Sequence, residues 1–212
     1  MRRWITAATC AALVGCQSAY YSAAEQVGIH KRDIMVDRVE EARDAQQEAE
    51  EQFQSALEQF SVLINFDGGE LQDVYEDLNE EYEDSVAAAE EVSQRIDAVE
   101  HVAEALFEEW STEIEEYSNP RLKSESQRQW RATRNRYDGM IKAMRKAESR
   151  MDPVLVALKD NVLFLKHNLN ARAVASLKTE FHTIEHDIEI LITEMRKAIA
   201  SSDAFIDSMR EQ

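Results

Sequence analysis

From Met35 to Leu63 the chain marks one stripe at alternating steps of four and three without a slip: Met35, Val39, Ala42, Gln46, Ala49, Phe53, Ala56, Phe60 and Leu63. Eight of these nine positions are apolar. A repeat near 3.5 residues keeps one face turned to a neighbouring helix, so it demands left-handed helix packing and little else. A second run carries the pattern on: Leu71, Tyr75, Leu78, Tyr82, Ser85, Ala89, Val92, Ile96, Val99, Ala103, Leu106, Trp110 and Tyr117. A third reads Trp130, Thr133, Tyr137, Met140, Met144, Ala147, Met151, Leu155, Leu158, Val162, Leu165 and Leu169. A fourth reads Leu177, Phe181, Ile184, Ile188, Leu191, Met195, Ala198, Ser202, Phe205 and Met209.

The joints are few because the chain has only two prolines and five glycines. Asn65-Phe66-Asp67-Gly68-Gly69 reads as a stop and turn, its glycines free to take positive φ. Ser118-Asn119-Pro120 reads as the next break, with a helix start near Ser124 or Ser126. Around Met151 two steps of four occur in succession, and Pro153 removes a backbone donor, which together predict a kink or interruption. Between runs three and four only Asn168 and Asn170 offer a turn. Runs of about 40 to 48 residues, each roughly 60 to 70 Å long, predict an all-α fold: a long antiparallel four-helix coiled-coil bundle stacked up-down-up-down. The alternative is a three-segment helical rod with the last two helices continuous. Seam Gln46, Ser85 and Ser202 either fix register or are polar groups tolerated in a thin bundle, and the second reading is preferred.

The first residues predict an address. Met1-Arg2-Arg3 precedes an apolar run from Trp4 to Val14, then Gly15-Cys16. A basic start, a short apolar stretch and small residues at the cut form a secretory signal, too short to span a bilayer. Ending in Leu13-Val14-Gly15-Cys16, it resembles a bacterial lipoprotein signal. That resemblance implies removal of residues 1–15, three acyl chains on Cys16, a tether over 16–24 and a helical bundle domain over 25–212. Gln17, in place of the Asp that marks inner-membrane retention, implies the outer membrane facing the periplasm. Cys10 would leave with the signal, so no thiol remains for a disulfide, zinc or nucleophilic catalysis.

Tyr20 to Phe53 (YYSAAEQVGIHKRDIMVDRVEEARDAQQEAEEQF), Asn65 to Ser85 around Asp67-Gly68-Gly69, and Asn161 to Leu177 (NVLFLKHNLNARAVASL) together resemble one family. It is the set of proteobacterial lipoproteins catalogued as a domain of unknown function, number twenty-nine fifty-nine. The likeness spans essentially the whole mature chain and brings no catalytic residue or ligand with it. Some members carry a "DNA repair ATPase" label. This sequence contradicts it, because no glycine is followed by lysine and no Gly-x-x-x-x-Gly-Lys-Ser/Thr phosphate loop exists.

The remaining chemistry is thin. His182-Thr183-Ile184-Glu185-His186 matches an inverted zinc-peptidase pattern, with two histidines four apart and a glutamate as base. Phe181, Ile184 and Ile188 take the seam, however, which turns His182 and His186 to solvent as at most a weak surface metal pair. Di-iron bundles need Glu-x-x-His on two helices. The residues three before the five histidines are Val27, Ala98, Phe164, Thr179 and Thr183, so that motif is absent.

Charge is distributed unevenly within a net of −18. From Ala24 to Ser118 stand 29 acidic and 5 basic residues; from Asn119 to Arg172 stand 13 basic and 5 acidic. Arg128, Arg131, Arg134 and Arg145 form a candidate interaction face. Interleaved Trp130 and Tyr137 suggest nucleic acid, but both sit on the seam and a strongly negative chain repels phosphate. The preferred expectation is a basic helix flanking acidic ones in its own bundle.

These readings combine into an outer-membrane-anchored periplasmic lipoprotein: a non-enzymatic scaffold module of the cell envelope with no cofactor. Its partners would be the membrane through the anchor, an envelope protein and, as an option, further copies of itself, but no nucleic acid. The second reading is a periplasmic bundle that opens near Met140, Met144 and Met151 to bind an apolar ligand or lipid. A metal-dependent enzyme comes third.

Overall fold

The computed structural model describes residues 30–211 except 67 and 69. The signal-like segment, Cys16 and the tether lie outside the described residues. Five helices follow in order: α1 (Lys31–Ile64), α2 (Leu71–Glu116), α3 (Pro120–Glu148), α4 (Met151–Lys166) and α5 (Ala171–Arg210). α3 and α4 run end to end as one leg, so the molecule is an all-α bundle of four legs. The 46 residues of α2 give a length of about 69 Å at 1.5 Å per residue.

The legs form a closed square. α1 packs on α2 and α5, and the α3–α4 leg packs on α2 and α5 as well. Cross-links between surfaces fix the directions. Lys31 reaches Glu109 at 2.9 Å and Gln52 reaches Glu81 at 2.7 Å, so α2 descends as α1 rises. Arg43 meets Asp203 at 3.2 Å and Arg196 meets Glu50 at 2.7 Å, which sets α5 antiparallel to α1. Arg145 on Glu100 and Lys146 on Glu194 complete the ring. The three-segment rod is therefore ruled out, since α5 turns back and packs along α1.

The turns follow from local chemistry. Asn65 and Phe66 close α1 with their backbone N–H groups on the Ser61 (3.2 Å) and Leu63 (3.1 Å) carbonyls, and Gly68 supplies φ +152°. Helix α3 starts earlier than the expected Ser124 or Ser126. The Asn119 side chain accepts from the N–H groups of Arg121 (3.0 Å) and Leu122 (3.4 Å), and Pro120 opens the helix where its missing N–H costs nothing. Ser126 instead lies buried and accepts from Trp110 Nε1 at 2.9 Å. The interruption expected near Met151 falls at Ser149-Arg150. Pro153 cannot donate to the Ser149 carbonyl and its ring crowds that carbonyl, so the helix ends at Glu148, just before that residue, and restarts at Met151. Asn170 caps α5 by accepting from the Arg172 and Ala173 N–H groups at 3.1 Å each. Asn168 donates its amide to the Phe164 carbonyl at 2.9 Å.

The seams are the core. Every seam position named in runs one and four is buried. In run three only Trp130, Leu155 and Leu169 are half-buried. Run two departs most. Tyr117 sits past the helix end and is 43% exposed; Leu71, Tyr75, Tyr82, Ala89, Leu106 and Trp110 are only half-buried, while Val102, Phe107 and Ile114 are buried off the named stripe. Ala89 lines a cleft beside the α3–α4 break, where the interrupted leg leaves α2 partly uncovered. Ser85 and Ser202 satisfy their hydroxyls on the Glu81 and Ala198 carbonyls of their own helices. Gln46 does not: it is fully buried, and neither its Oε1 nor its Nε2 has a hydrogen-bond partner.

Candidate interaction faces

The basic stretch meets the acidic hairpin along the α2–α3 contact, and Arg145 is its hub. Its guanidinium donates to Asp97 Oδ1 at 2.5 Å, to Glu100 at 2.5 and 3.2 Å, and to Glu148 at 2.9 and 3.0 Å. The Glu100 bond is the largest cause holding its proton well above the ordinary arginine range; partial burial opposes it. The forked pair on Glu100, together with the Asp97 bond, makes a charge-assisted clamp between α2 and α3, while the Glu148 bonds stay within α3.

About three turns back along α3, Arg134 lies over the Phe107 ring at 5.0 Å and the Tyr137 ring at 5.6 Å, while its Nε donates to Asp138 at 2.9 Å. Phe107 meets Trp130 edge-on at 5.9 Å and Tyr137 at 5.5 Å. Trp130 Nε1 donates to the Phe107 carbonyl at 3.1 Å. Burial, and secondarily the nearby Glu100 carboxylate, push the Tyr137 phenol up to about 12, so it stays neutral. These aromatics close an α2–α3 seam, with Glu100, Glu104 and Glu108 rimming an open groove of about 480 Å³ above it.

The four arginines do not share one face. Arg145 and Arg134 turn toward α2. Arg128 pairs with Glu125 of its own helix, and Arg131 donates to the Gln127 carbonyl at 3.1 Å, with no carboxylate partner among the described residues. Sequence reasoning could not separate them, because the repeat gives a residue's place around its helix but not which neighbours flank it.

His182 and His186 are both exposed, and His182 Nδ1 lies 3.3 Å from Glu185 Oε2. Among the described residues no three His, Cys, Asp or Glu side chains converge to hold a metal ion. Met140, Met144 and Met151 are at most 1% exposed. The nearest opening is the cleft of about 410 Å³ at the helix break, lined by Val86, Ala89, Met151 and Leu155 with Glu90, Glu148 and Asp152 at its edge. No described helix is long and apolar enough to cross a membrane.

Fold and faces together define a closed antiparallel helical bundle whose legs are tied by ion pairs between neighbours. Residues 20–209 match the family described as Protein of unknown function (DUF2959), and the chain belongs to that family. No curated protein and no solved structure matches it significantly.

Proposed function

We propose that the chain is a lipid-anchored module of the bacterial envelope, carried on Cys16 at the periplasmic face of the outer membrane, and that it acts by geometry rather than by catalysis. The observation that carries this reading is Leu13-Val14-Gly15-Cys16 closing an apolar stretch behind two arginines. Support comes from the bundle beyond it. α1 begins 15 residues after Cys16, so one end of a stiff rod faces the anchor and the other stands roughly 60 to 70 Å away. A rod of that length, its legs tied to one another by ion pairs, suits a spacer or scaffold that holds an envelope protein at a set distance.

Cys16→Ser tests it. The expected result is loss of the protein from the membrane fraction, or retention of the uncut signal. Unchanged membrane association together with unchanged mature mass would overturn the anchor. A second reading, binding of an apolar ligand, draws on the Met151–Leu155 cleft at the helix break. Lipid recovered at one equivalent from the purified protein would favour it.

A further inference from the structure

Six large apolar side chains stand exposed among the described residues, and three of them, Val156 (59%), Leu163 (47%) and Phe164 (42%), lie on the 16 residues of α4. Singly exposed apolar groups need no explanation, but these are ordered. At 3.6 residues per turn, Val156 and Leu163 fall on one stripe. That stripe is diametrically opposite Val154, Leu158 and Leu165, which face the core. Asp152, Lys159 and Lys166 lie on one flank of the stripe, and Asp160 on the other beside Phe164. Neither Lys159 nor Asp160 has an ion-pair partner within the described residues.

We propose that this outer face of α4 pairs with the same face of a second copy of the chain, with the two helices parallel. The charge pattern selects the direction. A two-fold axis along the rods exchanges flanks, so Lys159 of each copy meets Asp160 of the other while Val156 meets Val156 and Leu163 meets Leu163. An antiparallel two-fold keeps flanks together: it brings Asp152 toward Lys166 but sets Lys159 against Lys159 and Asp160 against Asp160 at the centre of the face, which disfavours it. In the parallel arrangement Lys166 also lies over the ring of the second copy's Phe164.

The contact is confined to α4. Beyond the Ser149-Arg150 break the exposed residues of α3 include Arg128, Arg131 and Lys142, which repel their counterparts. A face about 24 Å long falls well short of the ~800 Å² per partner of a standard interface, so the pair is weak in dilute solution. Confinement to one surface raises its effective concentration. Parallel is also the sense in which two chains entering one membrane meet, but the pairing rests on α4 alone and stands without the anchor.

The test places one cysteine in the full-length chain, Val156→Cys or Leu163→Cys, and oxidises intact cells mildly. The unaltered chain controls for Cys10 and Cys16, and Glu189→Cys on exposed α5 controls for random collision. The expected result is a reducible dimer at 156 and at 163 and none above background at 189. In the Leu163→Cys chain, Lys159→Asp should lower the dimer yield several-fold, and adding Asp160→Lys should restore it. No dimer at either α4 position, or cross-links only to other proteins, would overturn the pairing. A yield indifferent to the charge changes would overturn its parallel register. Loss of membrane association in Cys16→Ser bears on the anchor and leaves this outcome readable.

Discussion

Gln46 is the residue most at odds with its surroundings. It sits mid-α1, between Arg43, which reaches Asp203, and Glu50, which receives Arg196, with both amide atoms buried and unpaired. A buried amide without a partner loses its hydration for nothing in return, so an apolar side chain of like shape should fit better. Gln46→Met is expected to raise stability by about 1–3 kcal/mol in denaturant unfolding; a destabilised variant would show that the amide has a partner in solution. Glu194 is the opposite case. Lys146 at 2.8 Å, the larger cause, and Lys197 at 2.9 Å hold its carboxylate down to about 2, against 4.5 ordinarily. A depressed acid stabilises the fold above its ordinary value, and that contribution disappears as pH falls from about 4.5 toward about 2. Wild-type protein should therefore lose more stability than Glu194→Gln across that window in parallel thermal melts. Equal losses would mean the carboxylate is not held by its lysines.

Among the helices, α3 shows how a charge pattern resolves into unequal parts. Arg145 bonds three carboxylates, whereas Arg131 reaches only its own helix backbone. Arg145→Ala should cost about 1–2 kcal/mol, leaving Asp97, Glu100 and Glu148 to repel one another, and added salt should shrink the loss. Arg131→Ala should be nearly neutral. Equal effects from the two would dissolve the distinction between them. The heptad repeat makes most of this legible: the stripe positions from Met35 to Leu63 and from Leu177 to Met209 are all buried, because burial of one stripe is what the spacing encodes. The Asn168–Asn170 turn and the break ahead of Pro153 were also readable from residues that favour them. The start of α3 was misplaced because Asn119-Pro120 had been read only as a stop, although a side-chain acceptor followed by proline is also a start. The outer face of α4 is not legible in the repeat, because the repeat encodes only the stripe that is buried. The arginine face was legible only as a net charge, since pair geometry depends on neighbours that no single repeat names.

At the scale of the molecule, a hairpin dense in carboxylates is closed by a third leg that brings the cations, Lys31 and Arg95 on the hairpin itself binding it further through Glu109, Glu91 and Glu41. The result is a rod with two distinct ends. One holds the start of α1, the α2–α3 turn and the end of α5; the other holds the α1–α2 and α4–α5 turns. A tether leading from Cys16 joins the first end, so lipid on that cysteine would stand the rod on the membrane and leave its long faces free for neighbours. Intact mass of the protein extracted from membranes tests this account most directly. The mass should equal that of residues 16–212 with three acyl chains on Cys16. A chain that keeps residues 1–15, or begins at Cys16 without lipid, would contradict it.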